Sequence, residues 1–283
     1  MGQRLGQITW GGLTFGPGTP YAVAGLEGLD DLPDVRTQDV PRPTQHGDYT
    51  GPDYLAARTI GLDLWLIAPD PDTLRTLTLA LRDGTQPGTD VAPLVFVDQG
   101  VQLSAKVRKR ALPYNASALD RVGSASLEFY CPDPVLYSST LHTAQTAAYS
   151  PSAGRTYSKV FPFSYGTQGT SGQLTAVNAG AAPSYPTLRI DGPVANPSVE
   201  QTNVGGALQF TGTLAAGDYL TIDTRTRAVV LNGSTPRRSW LAGGATWPLL
   251  LPGSNSFVFR GTALAGQPLQ QSLLTVSWRD ASL

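Results

Sequence analysis

Between Thr59 and Ile67 the side chains alternate: Ile60, Leu62, Leu64 and Leu66 fall on one side of an extended chain, Thr59, Gly61 and Asp63 on the other. A helix does not gather residues at a spacing of two on one face, so the run predicts a half-buried β-strand. The same period returns at Val101, Leu103, Ala105 and Val107, at Ala125, Leu127, Phe129 and Cys131, and at Leu220 and Ile222. It returns again at Ala228 and Val230, at Phe257 and Phe259, and at Leu274, Val276 and Trp278. The 283 residues include 31 glycines and 23 prolines to turn such strands, and only 14% are charged, too few for the wet faces of long helices. With 41% hydrophobic residues a disordered chain is excluded, and a mainly β protein is expected.

One segment has a different period. Asp70 is a helix cap, Pro71 suits the first helical position, and Leu74, Leu77 and Leu81 follow at spacings of three and four, so a helix is expected over about 71–83. Gly84 is expected as its left-handed stop. Asn232-Gly233, after Ala228–Leu231, signals a hairpin turn. From Pro132 to Tyr165 the alternation fades into proline, serine, threonine and alanine, which reads as a linker. Three segments are therefore expected: a β-sandwich domain over 1–134 carrying the helix, a linker region over 135–164, and a second β-sandwich over 165–283. Charge divides the same way, with 11 Lys/Arg against 16 Asp/Glu before residue 135 and 9 against 5 after it. The net charge of −1 argues against binding nucleic acid through bulk charge.

Signs of catalysis are sparse. The two histidines, His46 and His142, cannot form a helical zinc pair, and no nucleophile elbow, Walker loop or dinucleotide fingerprint occurs. Cys131 lies on the apolar side of its strand, as a packing thiol would. Asp30, Asp31 and Asp34 read as solvated turn residues or as oxygen ligands for calcium, and Asp70 and Asp72 as partners of the helix start. Asn115-Ala116-Ser117 and Asn232-Gly233-Ser234 match the glycosylation pattern by accident, since the N-terminus shows no apolar signal stretch. The uncharged run Trp240–Phe259 is broken by glycines and prolines, so no membrane insertion is expected. The expected inventory is no catalytic residue, no metal and no cofactor.

Two segments suit an assembly interface. Between Arg36 and Tyr54, Arg36, Asp39, Arg42, His46, Asp48 and Tyr49 stand among prolines in a polar loop longer than a connection requires. Alternation also places Lys106, Arg108 and Arg110 on one strand face, with Lys109 opposite.

Order and spacing of several stretches carry a resemblance. Trp10-Gly11-Gly12, Tyr21-Ala22-Val23, Gly25 to Asp30, Leu32 to Arg36 and His46 to Tyr49 are similar to the opening of distal tail proteins of long-tailed phages. Ala125 to Tyr137 resembles the end of their first domain, and Asn178 to Gly192, Gly217 to Asp223 and Leu231 to Gly233 resemble their carboxy-terminal domain. The resemblance implies two β-sandwich domains, the first with one α-helix and a β-hairpin, the second galectin-like. It implies a structural virion protein at the tail tip, made in the host cytoplasm, that forms a homohexameric ring and leaves a channel for DNA. The implied partners are further copies of itself, the tail tube protein, the tail-tip hub protein, the tape measure and receptor-binding proteins, with weak host-glycan contact by the second domain. A carbohydrate-binding β-sandwich is the alternative, because Trp240 and Trp247 suit sugar rings.

Overall fold

The computed structural model describes residues 6–88, 90–112, 121–151 and 169–283. The chain divides into two compact units, one up to Ser139 and one over Thr140–Ser282.

The first unit holds β1 (Ile8–Trp10), β2 (Leu13–Phe15), β3 (Tyr21–Glu27), β4 (Val35–Arg36), β5 (Val40–Pro41), β6 (Asp48–Tyr49), β7 (Tyr54–Leu55), β8 (Arg58–Ile67), α1 (Pro71–Gly84), β9 (Ala92–Phe96), β10 (Val101–Ala111), β11 (Val122–Cys131) and β12 (Leu136–Ser138). Antiparallel pairing runs β2-β1-β9-β10-β11-β8-β3. β10 serves both halves of this layer: Val101–Ala105 pair with β9, and Lys106–Ala111 pair with β11. The expected alternation holds in β8, where Ile60, Leu62, Leu64 and Leu66 are buried with Leu94, Leu103, Leu127 and Phe129. Burying each such side chain contributes about 1.5–3 kcal/mol.

Helix α1 covers the expected segment. The Asp70 carboxylate accepts from the Thr73 amide at 2.8 Å, which holds its pKa below the ordinary aspartate value. Leu74 and Leu81 enter the core, and the Tyr21 hydroxyl donates to the Leu77 carbonyl at 3.0 Å, tying the helix to β3. Gly84 is not the left-handed stop expected of it. It is the last helical residue, and the Thr85 amide closes the turn onto the Leu81 carbonyl. A Cβ there would approach the end of the Leu13 side chain to 2.9 Å, so that side chain would have to shift to admit one.

The second unit holds β13 (His142–Ala147), β14 (Gln173–Asn178), β15 (Thr187–Asp191), β16 (Val194–Gln201), β17 (Gly206–Gln209), β18 (Thr213–Leu214), β19 (Tyr219–Asp223), β20 (Ala228–Leu231), β21 (Thr235–Pro236), β22 (Gly253–Thr262) and β23 (Leu273–Trp278). Two sheets, β13-β23-β15-β19-β20-β21 and β14-β22-β16-β17 with β18 beside β16, enclose one core. One sheet contributes Leu188, Ile190, Leu220, Ile222, Leu274 and Val276, the other Val199, Leu208, Phe257 and Phe259. The Asn232-Gly233 turn forms as expected, with φ of 50° and 73°. Asn232 is also tied into it, accepting from the Tyr219 amide and donating to Asp218, both at 2.9 Å.

The region expected to be a linker over 135–164 is partly strand. β12 pairs with β10, and β13 lies along β23 from His142↔Trp278 to Ala147↔Leu273. The sequence His142-Thr-Ala-Gln-Thr-Ala147 alternates small and polar residues, so an edge strand forms with no large apolar side chain to announce it. The rest of that region, 152–164, lies outside the described residues, as do Asn115–Ser117.

Candidate assembly surface

Between β3 and β8 the chain leaves the sheet as a long hairpin, and every residue from Asp34 to Thr50 is exposed. Its root is held from inside. Arg58 is 1% exposed; its Nη1 donates to the carbonyls of Gly28, Leu29 and Asp31 at 2.9, 2.6 and 2.6 Å, and its Nε to the Pro134 carbonyl at 3.0 Å. Burial lowers the Arg58 pKa, an effect opposed by Cys131, Asp31 and Asp30. Gly28, at φ +82°, must be glycine, because a Cβ would lie 2.1 Å from the Thr59 carbonyl oxygen.

Outward from the root the hairpin is laced by two short ladders. β4 pairs with β7 through Val35↔Leu55 and Arg36↔Tyr54, and β5 with β6 through Val40↔Tyr49 and Pro41↔Asp48. The Asp39 carboxylate accepts from the Gly51 amide at 2.9 Å, and the Arg42 amide donates across the tip to Gly47 at 3.1 Å. The Arg42 guanidinium lies over the Tyr49 ring, 5.0 Å from its centroid. Arg36, Asp39, Arg42, His46, Asp48 and Tyr49 are thus brought together on one projecting arm, with Leu32, Val35, Val40, Tyr49 and Tyr54 as its exposed apolar groups.

The basic strand departs from expectation. The register of β10 against β11 shifts between Val107 and Lys109, so Arg108 is the extra residue of a bulge and alternation reverses beyond it. Lys106 opposes Tyr130 and Lys109 opposes Glu128 on the outer face, whereas Arg110 opposes Leu127 on the core face. Lys106, Arg108 and Arg110 therefore do not share a face. Arg110 instead caps helix α1, donating to the carbonyls of Arg82 and Thr85 and to the Thr85 hydroxyl. Arg108 stacks on Tyr130, 3.3 Å from the ring centroid, and Lys109 pairs with Glu128 at 2.7 Å.

Groups with catalytic potential are dispersed. Cys131 is fully buried, and desolvation pushes its thiol up to about 12. His46 is on the arm, while His142, in the second unit, faces Asp280 at 3.2 Å and stacks on Trp278. Among the described residues no three His, Cys, Asp or Glu side chains come together as a metal site, and no helix is long and apolar enough to cross a membrane. Trp240 packs against Gly212, where a Cβ would sit 2.5 Å from the ring, and lies under Arg237; Trp247 lies under Arg238.

Residues 179–278 match the family model described as siphovirus-type tail component, C-terminal domain. The matched residues lie within the second unit. Comparison with curated proteins gives no match. Among solved structures, the chain is similar to phage SPP1 Dit, described as a paradigm of hub adsorption apparatus in Gram-positive infecting phages: 15% identity, TM-score 0.68, over 98% of this chain and 99% of that one. It is similar also to a chain of the phage P2 baseplate in its activated conformation with Ca, at 10% identity and TM-score 0.51 over 90% of this chain and 97% of that one. With Sr the corresponding values are 9%, 0.53, 96% and 96%. Family match and shared fold bear out the resemblance to phage distal tail proteins.

Proposed function

We propose that this structural component of the phage tail builds a hexameric ring at the tail tip, joining the tail tube to the tip hub and leaving a channel for DNA. The observation that carries this reading is the extent of the fold likeness: it runs through both units, over 98% of this chain and 99% of SPP1 Dit, with the tail-component family domain inside the second. The exposed arm supports it physically. Ordering a backbone costs on the order of 1–2 kcal/mol per residue, and an arm that buries so little of itself returns little of that until it lies on another surface. A closed ring supplies such a surface at every subunit, since each presents two different, complementary patches. The proposed partners beyond further copies are the tube, hub, tape measure and receptor-binding proteins, and the proposed location is the virion. The chemistry of the chain fits a scaffold rather than an enzyme, and the stacked Trp240 and Trp247 offer little free ring to a sugar. Gold-labelled antibody against the chain, applied to particles of the phage encoding it, is expected to mark the distal end of the tail. Label confined to the head or scattered along the tail would overturn the reading.

A further inference from the structure

We infer that an arginine cluster at one end of the second unit binds an anionic glycopolymer, a chain of sugars or polyols that carries a phosphodiester or a carboxylate at each repeat. The cluster lies wholly in the second unit and is independent of ring formation. Register places it: Thr187 stands opposite both Asp223 and Ser277, so the start of β15, the turn between β19 and β20 and the residues after β23 share one end of the sheet. That turn carries the exposed Arg225 and Arg227. Arg237 and Arg238 come in beside it, since the Arg237 amide donates to the Val229 carbonyl at 2.8 Å and the Arg238 guanidinium to the Arg227 carbonyl at 2.7 Å. Arg279 directly follows β23. Against these arginines stand Asp223 and Asp280, which leaves a positive excess. Asp223 is folded into its own turn, accepting from the Arg225 and Thr226 amides at 2.9 and 3.1 Å, and Asp280 faces His142. The other carboxylates described in the unit lie away from the cluster. Asp191 and Asp218 are at the opposite end of the sheet, and Glu200 is with Arg260 on the outer face of the other sheet.

Arg227 carries the argument furthest. Its φ of 58° is in the left-handed region, which glycine enters without steric cost and an arginine does not. Among the described residues its guanidinium has no hydrogen bond, ion pair or ring partner, and only its carbonyl is used, by Arg238. Backbone strain that serves no internal contact points to function, here a charge offered outward. A guanidinium fork grips phosphate and carboxylate alike, and several forks around one turn suit a chain that repeats such oxyanions. Between Asp223 and Trp240 no large apolar side chain is exposed, so the apolar centre of a stable protein interface is lacking. Single-stranded nucleic acid needs open aromatic faces for its bases. The rings here already lie under guanidinium groups, Tyr185 under Arg225, Trp240 under Arg237 and Trp247 under Arg238, at 5.6, 5.5 and 5.6 Å.

Titration of the full chain at low salt with fluorescent poly(glycerol phosphate), polygalacturonate, neutral dextran, single-stranded DNA and polyglutamate tests the site. Binding to one or both of the first two is expected, weakening as salt rises and absent with dextran; the tighter of the two names the oxyanion. Arg225→Glu with Arg227→Glu is expected to weaken that binding about tenfold or more. Arg227→Gly is expected to weaken it about threefold while the melting temperature holds or rises, because glycine relieves the left-handed backbone. If the double variant does not fold, the glycine variant carries the test alone. No binding to either polymer, or binding that these substitutions leave unchanged, overturns the site. DNA or polyglutamate bound more tightly than both polymers overturns it in favour of that class of partner. A lowered melting temperature in Arg227→Gly with undiminished binding assigns Arg227 to the turn alone and overturns it as well.

Discussion

Arg58 stands on the same parity as Ile60, Leu62, Leu64 and Leu66, one step before their run begins, and it is as buried as they are. A cation at a core position is tolerated here because its guanidinium satisfies four carbonyls that belong to no ladder. Arg58→Met keeps a long unbranched side chain and removes the donors, leaving the buried Leu29 carbonyl without its partner at a cost of about 1–3 kcal/mol. The expected outcome is a lower urea midpoint together with earlier protease cleavage between Gly28 and Leu55; an unchanged cleavage order would separate Arg58 from the arm. Cys131, opposite Arg58 in the β8–β11 ladder, is the second residue-scale test. Its native thiol titrates near 12, against about 8.5 in the unfolded chain, so the folded state holds a proton that the unfolded state has lost between those values. That contribution is fully present below about pH 8.5 and falls by about 1.4 kcal/mol per pH unit as the pH rises toward 12. Cys131→Ala is expected to flatten the decline in stability above pH 8.5, and the native thiol to resist a disulfide reagent until the chain unfolds. Arg58 was legible in principle, since it sits on the apolar parity, but parity alone does not say that carbonyls wait there.

At the scale of elements, α1 and β8 follow from local pattern, and the bulge in β10 does not. A helix with a cap, a first-turn proline and leucines at spacings of three and four needs nothing beyond itself to be recognised. The bulge is decided by the register of β10 against β11, a long-range property carried by no glycine in Val101–Ala111. Its consequence is that Arg110 belongs to the fold: it donates to the carbonyls at the end of α1, where a cation also meets the negative end of the helix dipole. Arg110→Glu is expected to lower stability by about 1–2 kcal/mol in thermal melts, while Arg108→Glu changes it by under about 1 kcal/mol. Equal effects would argue against the reversal of faces. Asp70→Ala, at the other end of the helix, is expected to cost about 1 kcal/mol. β13 was missed for a related reason. Its threonines and alanines carry too little apolar surface to mark a period, and its pairing with β23 becomes visible only in three dimensions.

For the whole molecule, alternation and turn chemistry were enough to expect two β units and one helix, and a long polar loop was enough to suspect an interface. The arm could not be foreseen as a projecting hairpin, because its ladders are two residues long and no hydrophobic face directs it. Neither could the division at Ser139, since β12 before it is only three residues long and β13 after it carries no large apolar side chain. The proposed ring is a matter of number and symmetry: copies of this chain would have to meet head-to-tail for it to close. Electron microscopy of the purified chain at high concentration and low salt, with particles averaged without imposed symmetry, tests this most directly. The account predicts closed rings of six subunits around an open axis. Monomers under all conditions, or pairs related by a two-fold axis, would contradict it.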